Sequence, residues 1–212
     1  MIELKAQDAD SQTVKLCSFG ENCEVTINLP GGYNIYNAAG AIAAAIGMGF
    51  TAESAKEAML RFECGFGRME KFELDGLPAR MILVKNLVGC NQVLNYLCGL
   101  SGDALFAISL NDRIADGTDI SWIWEAGYAR LLEMGDRLKG VLVSGTRAED
   151  MAECLKRAGV EEEKVRVFSD QGDMLGAALK QDAPLYIMPS YTAMLEIRGI
   201  ISRRFGIKEY WE

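Results

Sequence analysis

Hydrophobic positions follow two different rhythms along this chain. In residues 23–29, Val25, Ile27 and Leu29 alternate with Thr26 and Asn28, the period of two expected of a strand with one buried face. Together with the run 13–18 and an intervening Gly20-Glu21-Asn22 turn, this predicts a hairpin, ended by Pro30-Gly31-Gly32. The alanine-rich stretch 33–47 then reads as a helix stopping at Gly47 and Gly49. Thr51 and Ser54 read as the capped start of a second helix reaching Phe62. One hairpin and two helices are little sheet for an independent domain, so residues 1–66 are expected to be the end of something larger.

The rhythm changes after the glycine-rich joint Cys64-Gly65-Phe66-Gly67, which marks the expected boundary. Strands are expected at 69–74 and 79–84 around an Asp75-Gly76 turn, then a helix at 90–99 and an apolar strand at 104–109. Strands at 140–144, 164–168 and 185–188 then alternate with helices at 147–158, 171–180 and 191–205. Short apolar strands interleaved with amphipathic helices predict a parallel sheet covered on both faces. The fold class is therefore α/β, with residues 67–212 forming a Rossmann-like domain. The methionines at 48, 59, 69, 81, 134, 151, 174, 188 and 194 are expected to fill the core.

Composition narrows the function classes. Half of the 212 residues are apolar and a quarter charged, as in ordinary globular proteins. A net charge of −8 argues against nucleic acid or an anionic membrane as partner. The pair Arg203-Arg204 falls at the end of the last expected helix, where cations complement the helix dipole. Six cysteines without a Cys-x-x-Cys pair, in a chain lacking histidine, predict reduced thiols and no protein-built metal site. The start Met1-Ile2-Glu3-Leu4-Lys5 carries no signal-type apolar region, and the apolar run 38–48 is too short to span a bilayer. The chain is thus expected to be soluble and cytoplasmic, with no transmembrane segment.

In open α/β sheets, ligands bind beyond the carboxyl ends of the strands, so chemistry is sought in the loops that leave them. The loop 111–125 carries Asp112, Asp116 and Asp119, then Trp122 and Trp124. Its plainest reading is a solvated turn followed by an edge strand with both indoles packed inward. Carboxylates here could equally orient a histidine, bind a metal or receive an amine. A carboxylate that holds an imidazole in its working tautomer is the third member of a hydrolytic triad. With no histidine in this chain, Asp119 in that role would need the histidine and nucleophile from another chain. Lys85 and Asn86 place an ammonium and an amide at another strand end, where Lys85 could pair with an anion or simply reach to solvent. Ser144-Gly145-Thr146-Arg147 passes from strand to helix start, an arrangement that suits an anion and marks Thr146 and Arg147. Neither Gly-x-x-x-x-Gly-Lys-Ser/Thr nor Gly-x-Gly-x-x-Gly occurs, so neither standard phosphate-gripping loop is present.

Several segments carry a resemblance. Gly32-Tyr33-Asn34-Ile35-Tyr36-Asn37-Ala38-Ala39 resembles the segment closing the central ATP-binding domain of Mur ligases, and Gly67-Arg68-Met69-Glu70 resembles their junction to the C-terminal domain. Leu83-Val84-Lys85-Asn86, Gly89-x-Asn91, the run Asn111 to Trp124, Ser144-Gly145-Thr146-Arg147-Ala148 and Pro189-Ser190-Tyr191-Thr192 resemble the MurT branch. The likeness covers residues 23–212. It implies a Mur ligase-like C-terminal portion: residues 1–66 the residual end of the central domain, 67–212 the Rossmann-like C-terminal domain. It further implies ATP and Mg2+ in the complete enzyme, with none expected to bind tightly to this chain alone. Its partner would be a GatD-like glutaminase, and its substrate the D-glutamate α-carboxyl of lipid II, amidated through an acyl phosphate.

By the same resemblance Asp119 would complete a Cys-His pair of the glutaminase, with Asp112, Asp116 and Trp122 on the partner-facing loop. Asn37, Arg68 and Asn34 would be nucleotide contacts. The family's phosphate-loop lysine, magnesium ligands and cysteine-rich zinc ribbon have no counterpart here. Leu87 stands where proline is usual and Glu125 where aspartate is frequent. Two other readings stay open: a non-catalytic docking module that lends Asp119 to a glutaminase, and an unrelated Rossmann domain binding a small metabolite.

Overall fold

In the computed structural model, which describes residues 2–7, 11–18, 21–62 and 68–207, the period-two segments near the start form an antiparallel meander. Strands β1 (Ile2–Gln7), β2 (Gln12–Ser18) and β3 (Glu21–Ile27) lie in that order. Val14 faces Val25 and Leu16 faces Cys23 across the β2–β3 pair. Val14, Leu16, Val25 and Ile27 pack on Ile35, Ala38 and Ile42 of α1 (Gly32–Gly47) and Ala55 of α2 (Ala52–Leu60). Thr51 caps α2 as expected, its Oγ1 accepting the Ser54 N–H at 3.1 Å. The expected hairpin is corrected to three strands: Ile2, Leu4 and Ala6 alternate with Glu3, Lys5 and Gln7, yet every one of these residues is exposed. Met48 is also corrected, being 78% exposed rather than in the core. Gly20 and the joint Cys64-Gly65-Phe66-Gly67 lie outside the described residues.

The chain divides into two compact units, Met1–Cys64 and Gly65–Glu212. The second is built on a six-stranded sheet of order β4-β5-β9-β6-β7-β8. β4 (Arg68–Leu74) and β5 (Leu77–Ile82) form an antiparallel hairpin. Its turn residues Asp75 (φ 52°) and Gly76 (φ 86°) both have positive φ, the tight geometry that follows the twist of the strands. β5, β9 (Leu185–Pro189), β6 (Ala104–Ser109), β7 (Leu138–Ser144) and β8 (Val165–Val167) run parallel.

Successive residues of these strands face opposite sides, and each side finds its own cover. Phe106, Ile108, Val141, Val143 and Met188 pack with α3 (Leu87–Cys98) and α4 (Ala148–Arg157). Leu105, Ala107, Leu142, Leu185 and Ile187 pack with α5 (Gln171–Ala178) and α6 (Tyr191–Phe205). The central strands β6, β7 and β9 are buried on both faces almost throughout, which is why their sequences lack alternation. The edge strand considered after residue 119 is replaced by 3-10 turns at Ser121–Glu125 and Tyr128–Arg137. Ile123, Tyr128, Leu131 and Met134 of these turns join the core beside α3 and α4.

The connections that follow β5, β6 and β7 pass over the α3/α4 side, whereas α5 returns over the other side and inserts β9 between β5 and β6. β6 and β9 are therefore neighbours whose outgoing chains leave toward opposite faces. Their carboxyl ends define the crevice where open α/β sheets hold ligands.

Candidate functional site

Asn111 stands at the centre of that crevice, two residues beyond β6 and 2% exposed. Its backbone N–H donates to Ser190 Oγ at 2.9 Å, and its Nδ2 to Thr192 Oγ1 at 2.8 Å and Glu196 Oε2 at 3.3 Å. Its Oδ1 accepts the Thr146 N–H at 2.9 Å. One amide thus ties together the loops that follow β6, β7 and β9. The approach is close because position 145 is glycine with φ 102°, where any Cβ would collide with the Leu110 carbonyl.

The aspartates that follow divide into inward and outward groups. Asp116, 7% exposed, accepts the Thr192 N–H at 2.6 Å and the Thr192 hydroxyl at 2.7 Å, while Arg113 N–H reaches Asp116 Oδ2 at 3.2 Å. Asp116 therefore caps the first turn of α6 from another part of the chain and folds its own loop back on itself. Asp112 accepts the Thr146 hydroxyl at 2.9 Å, and its carboxylate lies 3.7 Å from the Arg147 guanidinium. Arg147 also pairs with Asp150 at 3.0 Å. Thr146 and Arg147 thus each have a carboxylate neighbour within the loop cluster.

Asp119 points the other way. It is exposed, and its Oδ1 accepts only the Ser121 N–H, at 2.8 Å, among the bonds the described residues give that atom. That backbone bond, with a further one from the Ser121 side chain, holds the carboxyl below the usual aspartate range, so it is ionised at neutral pH. Trp122 is half-buried against the core, so one of the two indoles expected to pack inward does so. Trp124 is 42% exposed and lies beneath the Arg157 guanidinium at 4.9 Å. Ile114, at the tip of the same loop, is 93% exposed. A loop pinned at Asn111, Asp112 and Asp116 therefore presents an anionic carboxylate and apolar groups to solvent.

Lys85 and Asn86 lie exposed beyond β5. Lys85 forms no hydrogen bond or ion pair among the described residues, whereas Asn86 caps α3, its Oδ1 accepting the Gly89 N–H at 2.8 Å. Near the start of α1, Asn34 is buried and donates to the Pro30 carbonyl at 2.7 Å, leaving Asn37 exposed and 3.5 Å from Asn34 Oδ1. Arg68 opens β4, and its side chain lies outside the described residues. Asn111, Glu196 and Gln171 are not among the site residues expected from the sequence. The signal for Asn111 was its place just past an all-apolar strand. Glu196 could have been found by its spacing of one helical turn from Thr192 on α6.

This sheet order with its crevice of loops defines a class of open α/β domain. The backbone superposes on the UDP-N-acetylmuramate-alanine ligase MurC of Thermotoga maritima with a TM-score of 0.70 at 13% identity, covering 98% of this chain and 45% of that one. For MurF of Acinetobacter baumannii the TM-score is 0.70 at 15% identity, covering 97% and 44%. For the folylpolyglutamate synthase of Thermotoga maritima it is 0.66 at 17% identity, covering 99% and 48%. The fold is that of Mur ligases.

The MurT ligase C-terminal family matches residues 83–194, and the chain belongs to it. Two relatives are each named as the MurT subunit of glutamine-hydrolysing lipid II isoglutaminyl synthase. The one from Streptococcus pneumoniae (strain ATCC BAA-255 / R6) is 31% identical over 209 residues, covering 94% of this chain and 46% of its own. The one from Staphylococcus aureus (strain COL) is 30% identical over 181 residues, covering 84% and 40%. The chain thus spans somewhat less than half the length of these relatives.

Proposed function

We propose that this chain is the C-terminal portion of a MurT-type ligase, which amidates the D-glutamate α-carboxyl of lipid II together with a GatD-like glutaminase. Asp119 is then the residue that the chain lends to its partner's glutamine hydrolysis. The observation carrying this reading is an exposed, ionised carboxylate on a loop fastened by Asn111 and Asp116, in a chain without histidine. A carboxylate so presented accepts a hydrogen bond from an imidazole, fixes its tautomer and stabilises the imidazolium that forms as a thiol nucleophile gives up its proton. Rigid attachment matters because misplacement by about 1 Å costs on the order of a hundredfold in rate. Ile114 and Trp124 flank Asp119 as apolar contacts for the partner surface.

ATP and Mg2+ would supply activation of the substrate carboxyl in the complete enzyme. Of the residues expected to touch a nucleotide, Asn34 donates to the Pro30 carbonyl and Asn37 is exposed, while the side chain of Arg68 lies outside the described residues. No lysine-bearing phosphate loop occurs in the sequence. The role proposed here for this chain rests on Asp119 and the crevice, with Asn37, Arg68 and Asn34 kept as the candidate nucleotide contacts. Lys85, exposed beyond β5 and without an ion pair among the described residues, is a candidate to meet an anionic substrate group.

The test is glutamine hydrolysis by a GatD-type glutaminase, with this chain absent, present, or carrying Asp119→Asn. The wild type should stimulate hydrolysis. The variant should still bind the glutaminase while activity falls by several orders of magnitude, since asparagine at such a position favours the wrong tautomer. Undiminished activity of Asp119→Asn in an intact complex would remove the assignment.

A further inference from the structure

Asp119 lies on a segment fastened at its near end by Asp116, but a side chain on a loop is placed only as well as both ends of the loop allow. Beyond Asp119 the chain enters the 3-10 turn Ser121–Glu125, and the Ser121 N–H at its start donates to Asp119 Oδ1 at 2.8 Å. The carboxylate therefore moves with this turn. Whatever holds the turn in place holds Asp119 too.

The turn is held from α3 and α4. The Ile123 side chain is fully buried in the core beside these helices, and the Ile123 carbonyl accepts the Cys154 thiol at 3.1 Å. Just past the turn, the Gly127 N–H donates to Asn91 Oδ1 at 2.7 Å. Tyr128 follows, 1% exposed, its hydroxyl accepting from the Cys90 thiol at 3.4 Å.

These fasteners do not constrain the turn equally. Apolar burial has no direction, and a thiol is a weak donor. The short bond between Gly127 and Asn91 is the directional one. The fit around it is close, since a Cβ at Gly127 would come within 3.3 Å of Asn91 Oδ1. Asn91 is itself firmly based in the second turn of α3, next to the fully buried Cys90. One turn further along α3, Asn95 Oδ1 accepts Arg130 Nη1 at 2.5 Å. The two asparagines thus divide their work: Asn91 fastens the far end of the Asp119 segment, and Asn95 the turn that follows it.

We propose that Asn91 is a positioning residue for Asp119, an inference that rests on the role proposed above for that aspartate. Without Asn91 the Gly127 N–H loses its acceptor, and the turn is free to rotate about its apolar anchor. The carboxylate then drifts from the imidazole whose tautomer it fixes. Asn91 acts through Asp119 alone, so its loss costs nothing further once the carboxylate is gone.

The experiment is glutamine hydrolysis by a GatD-type glutaminase saturated with the full chain. The chains compared are wild type, Asn91→Ala, Asn91→Asp, Asn95→Ala, Asp119→Asn and the double variant Asp119→Asn/Asn91→Ala. Asn91→Ala should lower kcat about tenfold or more while the affinity of the two proteins changes less than about twofold. Asn91→Asp keeps an oxygen for the Gly127 N–H and should restore most of the activity, and Asn95→Ala should leave it unchanged. The double variant should be no slower than Asp119→Asn. A carboxylate beside an imidazolium raises its pKa, so the alkaline limb of the pH profile should move to lower pH in Asn91→Ala and further in Asp119→Asn. In the chain alone, exchange of the Ser121 amide should accelerate in Asn91→Ala and not in Asn91→Asp. Should Asn91→Ala not fold, Asn91→Gln, which carries the amide one carbon further, replaces it in every comparison.

Wild-type kcat in Asn91→Ala beside an impaired Asp119→Asn would overturn the positioning role and leave Asp119 standing. Full activity of Asp119→Asn would remove both. An equal loss from Asn91→Ala with and without the Asp119 carboxylate, or weaker association at unchanged kcat, would assign Asn91 to folding or docking and also overturn the proposal.

Discussion

The thiols are the residues whose burial has the clearest consequence for pH. Cys90 donates to the Tyr128 hydroxyl at 3.4 Å deep in the core, and loss of solvent pushes its thiol up to about 12 from the usual 9.0. Burial raises Cys98 and Cys154 to about 11 by the same cause. Each folded-state value lies above the unfolded one, so between pH 9 and these values the unfolded chain releases protons that the folded chain retains. Stability from this source is complete below pH 9 and falls as pH rises, by up to about 1.4 kcal/mol per pH unit for Cys90 and by less for the more solvent-screened Cys98 and Cys154. Urea midpoints should therefore drop between pH 9 and 11, and Cys90→Ala should make that slope shallower whatever it does to stability at pH 7. An equal slope in wild type and variant would show that Cys90 does not titrate as its burial requires. Burial of these cysteines was legible from their scattered spacing, since without Cys-x-x-Cys pairs or histidine they had no ligand role to fill.

At the level of elements, the contact that organises the crevice joins the β6 loop to the start of α6. Asp116 receives both the backbone N–H and the hydroxyl of Thr192, so one carboxylate caps a helix that lies 76 residues further along the chain. Periodicity could not reveal this. Both residues look like ordinary loop and helix-start choices, and only the insertion of β9 beside β6 brings them together. The same reason hid Asn111, whose four bonds all reach residues at least 35 positions away. The 3-10 turns were missed for a different reason. Gly135, with φ 55°, interrupts Tyr128–Arg137 before a helical period can register. The strands and helices around them were readable because each face of the sheet has its own apolar partner.

The Asp116–Thr192 clamp makes an energetic prediction at this scale. Asp116→Ala removes the cap and leaves the Thr192 N–H without its acceptor, a loss of about 2 kcal/mol. Thr192→Val removes the hydroxyl bond alone and should cost about 1 kcal/mol. Because the two residues share these bonds, the double variant should be less destabilised than the sum, by a coupling of roughly 0.5–1 kcal/mol. Chemical denaturation of the four proteins measures it, and strict additivity would show that the clamp contributes little. Exchange of the Thr192 amide should accelerate in Asp116→Ala as well.

At the level of the whole molecule, the two units have unequal cores. The first gathers Val14, Leu16, Val25, Ile27, Ile35, Ala38, Ile42 and Ala55 between a three-stranded sheet and two helices, and its β1 is exposed throughout. The second has two layers of buried side chains, one on each side of a six-stranded sheet, including fully buried Phe106, Tyr128, Leu142 and Met151. Apolar burial contributes roughly 25 cal/mol per Å², so the difference in core size is a difference in resistance to opening. The backbone amides of β6, β7 and β9 should therefore be the slowest to exchange with deuterium, and those of β2 and β3 faster by at least about tenfold. Under rising urea the protection of β2 and β3 should be lost first, while the central parallel strands still hold. Loss of protection in all of these strands at a single urea concentration would mean that the two units open as one cooperative body, and the smaller core would then be stabilised by more than its own side chains.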